Sequence, residues 1–219
     1  MTATDDFVPP VGWACSPLRE LCASIQSGPG RRAEDKGHTR ANGGLPLVLP
    51  RHLAEQRIVT DTEEAAADPA IPRDRARTLV KYELAEGDLL LTRTGTVGRC
   101  ALVTGEHTGW LFHPNLIRLR LPELRRVSAA YLTAYLSATA AQDWIRARTA
   151  GSVIPSLSIR TVGELPVLVP PVAEQAMIGA TLAALDAKIQ VHAEIARVTR
   201  DYRSVLADAL MTGTLLAEP

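Results

Sequence analysis

The stretch that decides the fold is LPVLVPPVAEQAMIGATLAALDAKIQVH, residues 165–192. Its prolines at 166, 170 and 171 end an extended run, and Pro171 suits the first turn of a helix, where a missing N–H costs nothing. No further proline occurs before Pro219, and apolar residues recur at a helical period. The pattern predicts one helix over residues 171 to about 211, roughly 40 residues and about 60 Å long.

Apolar residues along this helix alternate in steps of three and four, which is the spacing of a coiled-coil seam. The step from His192 to Ile195 is three residues where four would be regular, and this shortening would locally overwind two helices paired along the seam. The alternative is one amphipathic helix lying on its own domain, but a domain of about 170 residues is only about 40 Å across, so the helix would overhang it. We therefore predict a coiled coil. Its dimerisation residues are Ile178, Leu182, Leu185, Ile189, Ile195, Val198 and Tyr202.

Residues 1–170 follow a different pattern, in which short strand-like runs alternate with turns and modest helices. Helical spacing predicts helices over 17–25 and 128–150. Strands are predicted over 45–49, 78–84, 89–92, 97–103 and 115–121. Residues 60–76 are polar, acidic and proline-containing, which predicts a long exposed connection. The predicted fold class is a mixed α/β domain, residues 1–170, followed by a single long helix in residues 171–219 that forms a coiled coil.

Composition limits the chemistry of the chain. Its 219 residues include 24 Lys plus Arg and 24 Asp plus Glu, so the net charge of zero gives no sign of an overall basic nucleic-acid binder. The start, MTATDDFVPP, lacks the basic and apolar regions of a signal peptide, which predicts a cytoplasmic protein. Three cysteines are too few for a disulfide scaffold or a four-ligand zinc site, and we predict that Cys15, Cys22 and Cys100 are buried free thiols.

The sequence lacks the residue clusters that catalytic sites require. It has no GxxxxGK[ST] phosphate loop, no HExxH motif and no Asn- or Asp-Pro-Pro-aromatic loop of an amino methyltransferase. A metal-dependent nuclease needs an acidic pair near a lysine, and only three lysines are present. A small nuclease is therefore the least favoured alternative, and we predict no catalytic residues and no metal ligands in this chain.

Basic residues nevertheless cluster locally, several of them in glycine-rich loops, where recognition residues are commonly placed. Such side chains can neutralise phosphates or reach base edges, although a solvated face or a local ion pair is the alternative for any single arginine. A further basic cluster includes Arg118 and Arg120. The candidate DNA-binding residues are Arg31, Arg32, Lys36, Arg40, Arg75, Arg77, Arg93, Thr94 and Arg99.

The order of motifs resembles the specificity (S) subunits of type I restriction–modification systems, in a half-length form with one target-recognition domain. The resemblance rests on Trp13 before PLREL, then SGPGRR, GGLPLVLPRHL, GDLLLTRTGTVGRCALV, NLIRLRL, AYLTAYLSATAAQDWI, GSVIPSLSI, LPVLVPPVAEQAMIGATLAALDAKI and LADALMTGTL. These segments cover nearly the whole chain. GDLLLTRTGTVG and PPVAEQ are moderate signals alone, and their order and spacing make a strong one.

The resemblance implies a non-catalytic subunit that binds double-stranded DNA and presents it to an N6-adenine methyltransferase subunit and, in a full system, to a restriction subunit. S-adenosylmethionine is expected on the partner methyltransferase and no cofactor in this chain. One recognition domain with one helix is expected to dimerise with a second copy and read a bipartite palindromic site. The alternative is a stand-alone sequence-specific DNA-binding module of another anti-phage or DNA-modification system.

Overall fold

The computed structural model describes residues 7–30, 37–60, 65–124, 126–150 and 155–213. The chain divides into two compact units, Met1–Met177 and Ile178–Pro219. Within the described ranges, no helix combines the length and the hydropathy needed to cross a membrane. The first unit is a mixed α/β domain and the second is the distal part of one long helix, so the predicted fold class is confirmed.

Eleven short strands occur in the described part of the first unit. They are β1 (Ala14–Pro17), β2 (Ser24–Ser27), β3 (Leu45–Val48), β4 (Leu53–Ala54), β5 (Arg57–Ile58), β6 (Ala70–Ile71), β7 (Leu89–Thr92), β8 (Cys100–Leu102), β9 (Leu111–Phe112), β10 (Leu116–Arg120) and β11 (Pro166–Val169). An antiparallel sheet has the order β2-β10-β7-β8, and a second sheet has the order β6-β3-β9, with β3 and β9 parallel. Strands β4 and β5 form a hairpin, and β1 pairs with β11 near the other end of the domain sequence.

Six α-helices lie in the same described ranges. They are α1 (Leu18–Leu21), α2 (Arg73–Ala76), α3 (Ala129–Ser137), α4 (Thr139–Thr149), α5 (Ile159–Gly163) and α6 (Val172–Met211). The long helix α6 has the predicted extent within one residue at its start, because Pro171 precedes its first turn and apolar spacing is kept to Met211.

The core is built around strands β7 and β10, which lie next to each other at the centre of the four-stranded sheet. Leu89, Leu90 and Leu91 are fully buried, as are Leu116 and Ile117 on the neighbouring strand. Consecutive apolar residues are expected in a strand that is covered on both faces, where neither side of the pleat meets water. These two strands fix the position of the turns at their ends.

Several local predictions are wrong. The helix predicted over 17–25 is a single turn, α1, between β1 and β2, because β1 pairs with the distant strand β11. Residues 78–84 contain a short 3-10 helix, Val80–Tyr82, and no strand. The helix predicted over 128–150 is broken at Ala138, whose backbone is extended, into α3 and α4. Cys100 is buried but Cys15 is exposed on β1.

The first turn of α6 is anchored on the first unit by Gln175. This side chain is 2% exposed and makes three of the four hydrogen bonds that a carboxamide can form. Its Oε1 accepts from the Ser128 N–H at 2.8 Å, and its Nε2 donates to the carbonyls of Arg126 and Pro170, each at 2.9 Å. Next to it, Glu174 Oε2 accepts from Trp13 Nε1 at 2.9 Å. The PPVAEQ segment therefore holds the helix start against Trp13 and against the segment before α3.

The second unit is an uninterrupted helix with an apolar stripe. Ile178 is half-buried at its start, and the other predicted dimerisation residues are exposed, from 39% for Leu182 to 66% for Tyr202. Arg197 forms ion pairs with Glu194 and Asp201 on the same helix, at 2.6 Å and 2.8 Å. Such i,i+3 and i,i+4 pairs support an exposed helix by a few tenths of a kcal/mol each, roughly 0.2–0.5. The coiled coil itself stays a prediction.

Candidate nucleic-acid interface

The connection between β7 and β8 is a tight turn that brings side chains of residues 92–99 to one end of the central sheet. Its base is closed by backbone bonds from Thr92 N–H to the Arg99 carbonyl, at 2.9 Å, and from Gly98 N–H to the Thr92 carbonyl, at 3.0 Å. Gly95 and Gly98 have φ values of 77° and 93°, a backbone conformation that glycine adopts at little steric cost. A Cβ on Gly98 would also lie 2.9 Å from Oε1 of Gln142.

Three predicted DNA-binding residues lie in this turn. The backbone of Arg93 is fixed by two hydrogen bonds. Its N–H donates to the Asn115 carbonyl, and its carbonyl accepts from the Leu157 N–H. Thr94 forms a bridge with Ser156. Arg99 is exposed, and its backbone N–H donates to Thr92 Oγ1 at 2.9 Å. Rigid backbones therefore carry half-buried or exposed polar side chains, as a recognition surface requires.

A hollow of about 440 Å³ opens beside the turn. Its lining includes two guanidinium groups, three threonines and one carboxamide, and none of the described residues that line it is acidic. Groups of this kind suit the phosphates, sugars and base edges of a nucleic acid. The lining residues are Pro50, Arg51, Thr92, Thr94, Gly95, Thr96, Arg99 and Asn115.

Arg51 enters the hollow from the 3-10 helix Pro50–His52 and is bound from below by Asp68. The Asp68 side chain is 2% exposed, whereas that of Arg51 is 57% exposed. His52 is buried; its Nε2 lies 3.0 Å from the second carboxylate oxygen of Asp68, and its Nδ1 accepts from the Leu49 N–H at 3.1 Å. This bond to Nδ1 places the proton of a neutral His52 on Nε2, towards Asp68.

Burial lowers the pKa of His52 from its ordinary value of 6.5. The charges of Arg51 and Arg40 act in the same direction, and the Asp68 carboxylate opposes them. A lowered pKa keeps His52 neutral at pH 7 and preserves its assigned tautomer. Asp68 therefore supports Arg51 from below, while its second carboxylate oxygen, beside His52, is buried without a hydrogen-bond partner among the described residues.

The remaining candidates from the glycine-rich loop are only partly described. Arg31, Arg32 and Lys36 lie outside the described residues. Arg40 is half-buried, with its guanidinium 4.8 Å from the centre of the Trp110 ring, and its backbone N–H donates to the Asp68 carbonyl at 3.1 Å. Among the described residues, Arg40 Nη1 and Arg93 Nε are buried without a hydrogen-bond partner. Such unpaired donors are costly, and a bound ligand atom is one way to satisfy them.

Arg75 and Arg77 lie on and just after α2, apart from the hollow. Arg75 Nη2 donates to the Gly30 carbonyl at 2.7 Å, and Arg73 on the same helix donates to the Gly43 carbonyl at 2.9 Å. Arg77 is exposed. The structure thus places Arg75 against residue 30, at the base of the glycine-rich loop.

The basic cluster at Arg118 and Arg120 serves the fold. Arg118 is 3% exposed, and its guanidinium donates to the carbonyls of Lys81 and Glu83 and to Gln26 Oε1. Arg120 binds the buried carboxylate of Asp88 through Nε and Nη2, at 2.7 Å and 2.6 Å. Arg118 is therefore not available to a phosphate, and Arg120 is held by its ion pair with Asp88.

Sequence reasoning missed Arg51 and Asn115, the two lining residues of the hollow whose side chains offer guanidinium or amide donors outside the β7–β8 turn. The motif GGLPLVLPRHL contains Arg51, but the candidate DNA-binding residues do not include this arginine. No sequence signal identifies Arg51, because its ion-pair partner Asp68 lies 17 residues later, in the segment predicted as an exposed connection. Instead that segment contains β6 and α2, and Asp68 and Ile71 are buried in it.

The described residues include no group of three or more His, Cys, Asp or Glu side chains that could hold a metal ion.

A family model described as the type I restriction modification DNA specificity domain matches residues 10–199 of the chain. The match covers most of the chain, and the protein belongs to this family of DNA specificity domains. No curated protein matches the chain in a sequence comparison.

Three solved structures have a similar fold. The chain is similar to a chain from work on "complex assembly and conformational transition of the type I R-M system", with a TM-score of 0.64, 16% identity and coverage of 96% of this chain and 48% of that one. It is similar to the HsdS subunit from Thermoanaerobacter tengcongensis, with a TM-score of 0.57, 16% identity and coverage of 98% and 50%. It is also similar to the type I restriction–modification S subunit from M. genitalium, with a TM-score of 0.59, 16% identity and coverage of 91% and 46%. The chain thus shares the fold of these proteins and spans about half the length of each.

Proposed function

We propose that this protein recognises a DNA sequence as the specificity subunit of a type I-like restriction–modification complex. The observation that carries the proposal is the hollow beside the β7–β8 turn in a chain of this family. There, Arg51 and Arg99 supply positive charge, and threonine hydroxyls and the Asn115 amide supply donors and acceptors. Phosphate contacts give affinity and position, and base-edge contacts give sequence preference. Both kinds of group line the same hollow.

The second part of the proposal is that two copies associate through α6. The stripe from Leu182 to Tyr202 is apolar and exposed, and it repeats at three- and four-residue steps. An extended apolar stripe of this kind marks an interaction surface, and its period fits a partner helix. A second copy supplies the same stripe and brings a second recognition domain. The dimer would then read a bipartite palindromic site, because a two-fold axis in the protein is mirrored in the DNA.

In this account the chemistry belongs to partner subunits. An N6-adenine methyltransferase subunit binds S-adenosylmethionine and modifies the site that this protein selects, and a restriction subunit joins in a full system. The chain contributes recognition and has no catalytic centre of its own. Since its substrate is genomic DNA, we assign its work to the cytoplasm.

Selection from a random library of duplex DNA by the purified full chain tests the recognition claim. We expect one enriched motif with two half-sites related by a palindrome. Enrichment of no motif would contradict the proposal. Cleavage of the library with Mg²⁺ by the protein alone would show a catalytic centre and overturn the non-catalytic role. An enriched motif without matching methylation in the host would favour the stand-alone DNA-binding module.

A further inference from the structure

The Arg51–Asp68 ion pair contributes little to the stability of the fold, and its main effect is to orient the Arg51 guanidinium. An exposed ion pair contributes little to folding, and burying a carboxylate carries a desolvation cost. Here the acid is 2% exposed and the arginine 57% exposed, so the cost falls on Asp68 while the outer part of the guanidinium stays accessible. His52 adds a second neighbour to the carboxylate, at 3.0 Å, and is itself fixed by the Leu49 N–H. What this arrangement supplies is a fixed orientation for the Arg51 fork.

Orientation distinguishes base reading from phosphate binding. A phosphate contact depends mainly on charge and tolerates many geometries, whereas a base edge presents donors and acceptors at set positions in the groove. An arginine fork reads guanine through O6 and N7, and it does so best when it is held in one direction. Arg51 meets this condition, since Asp68 holds one Nη and the described residues provide no other hydrogen-bond partner for its side chain.

Asn115 supplies a second directional group in the same hollow. Its backbone is fixed, because its N–H donates to His113 Nδ1 at 3.1 Å and its carbonyl accepts from the Arg93 N–H at 2.9 Å. Its side chain is exposed and has no hydrogen-bond partner among the described residues. A carboxamide can contact a phosphate, but only a base edge uses its donor and its acceptor together. Its adjacent donor and acceptor match adenine N7 and N6.

The other lining groups fit the DNA backbone. Arg99 is exposed and has no ion-pair partner among the described residues. Hydroxyl groups such as those of Thr94 and Thr96 commonly contact phosphate oxygens. We propose that Arg51 and Asn115 read base edges of the DNA target, Arg51 a guanine and Asn115 an adenine, with Asp68 and His52 as the residues that position Arg51. This assignment rests on the proposed function of DNA-sequence recognition.

The test compares the motifs that the wild-type chain and its variants select from random duplex DNA. Arg51→Ala is expected to lose the preference for guanine at one position of each half-site, by roughly 5- to 150-fold. Asn115→Ala is expected to lose the preference for adenine at a different position by a similar factor. Arg99→Ala is expected to weaken binding to all sequences alike and to leave the motif unchanged. Arg57→Ala removes an exposed arginine of the β4–β5 hairpin that does not line the hollow, and serves as the matched control.

Two further variants test the positioning role. Arg51→Lys keeps the charge but not the fork, and is expected to keep overall affinity while losing the guanine preference. His52→Gln is expected to weaken the preference at the Arg51 position alone and to leave the Asn115 position intact. A variant that merely loosened the fold would blur both positions together.

Each contrary outcome has a distinct meaning. If Arg51→Ala and Asn115→Ala keep the wild-type motif with uniformly lower affinity, both residues contact phosphates and the base-reading assignment is wrong. If they keep both motif and affinity, the hollow lies outside the interface. If Arg51→Lys retains full guanine preference, orientation by Asp68 is not what gives specificity. If the wild-type chain selects no motif, the proposed function fails and this assignment with it.

Discussion

Gln175 and Ser128 are 47 residues apart in sequence, and the side-chain oxygen of Gln175 accepts the Ser128 backbone N–H at 2.8 Å. The amide nitrogen of the same buried side chain binds two carbonyls, so one residue satisfies three backbone groups at the start of α6. Gln175 therefore ties the helix start to the segment before α3.

Gln175→Ala is expected to lower the free energy of unfolding by about 2–4 kcal/mol, because it leaves buried backbone groups without partners. Urea denaturation followed by circular dichroism measures this. Trp13→Phe is the comparison variant, since it removes the Nε1 donor to Glu174 together with the part of the ring that carries it, and should cost about 1 kcal/mol. Equal losses for the two variants would contradict the anchoring role of Gln175.

Stability should depend on pH through His52. Its pKa is lowered in the folded protein from the ordinary 6.5, so the unfolded chain takes up the proton more readily. The contribution is therefore fully present above about pH 6.5 and is lost as the pH falls towards the lower folded-state pKa. Urea titrations at a series of pH values should show a smaller decline on acidification for His52→Gln than for the wild type. Parallel curves would show that His52 titrates alike in both states.

The helix stripe can be tested with two double variants. Leu182→Asp with Leu185→Asp places charges on the predicted seam and should give monomers by light scattering. Ala184→Asp with Ala187→Asp adds the same charges at the same spacing on the side of the helix away from the seam, and should leave the dimer intact. A dimer that survives the first pair of substitutions, or is lost with the second, would rule out assembly through this stripe.

The turn between β4 and β5 stores backbone strain. Glu55 and Gln56 both have positive φ values, 48° and 63°, in a two-residue hairpin turn that favours Asn-Gly. Glu55→Asn with Gln56→Gly is expected to raise the free energy of unfolding by about 1 kcal/mol. Glu55→Ala is the control and should give no gain, since alanine also avoids positive φ. A loss of stability in the Asn-Gly variant would show that these side chains make contacts that outweigh the strain.

The parts of the fold that depend on local sequence were predictable. The long helix follows from apolar spacing that repeats without a proline, and β7 follows from a short apolar run before a glycine turn. The errors arose where distant segments decide the structure. Strand β1 forms because it pairs with β11, about 150 residues away, and this partner overrides the helical spacing of residues 17–25. The break between α3 and α4 at Ala138 could not be predicted either, because no proline or glycine lies near it in the sequence.

The candidate site divides in the same way. Arg93, Thr94 and Arg99 could be found because a glycine turn between two strands is visible in the sequence. Arg51 could not, because its importance comes from a buried carboxylate 17 residues later in a segment that looks exposed. Burial of an acid is a property of the folded chain, and neither composition nor spacing encodes it directly.

The central claim is that this protein selects the DNA sites that a partner methyltransferase modifies. The most direct measurement is a map of N6-methyladenine in the host genome, by single-molecule sequencing, with and without the gene. We expect that one bipartite palindromic motif loses its methylation when the gene is deleted and regains it on complementation. An unchanged methylation map would contradict the methyltransferase partnership.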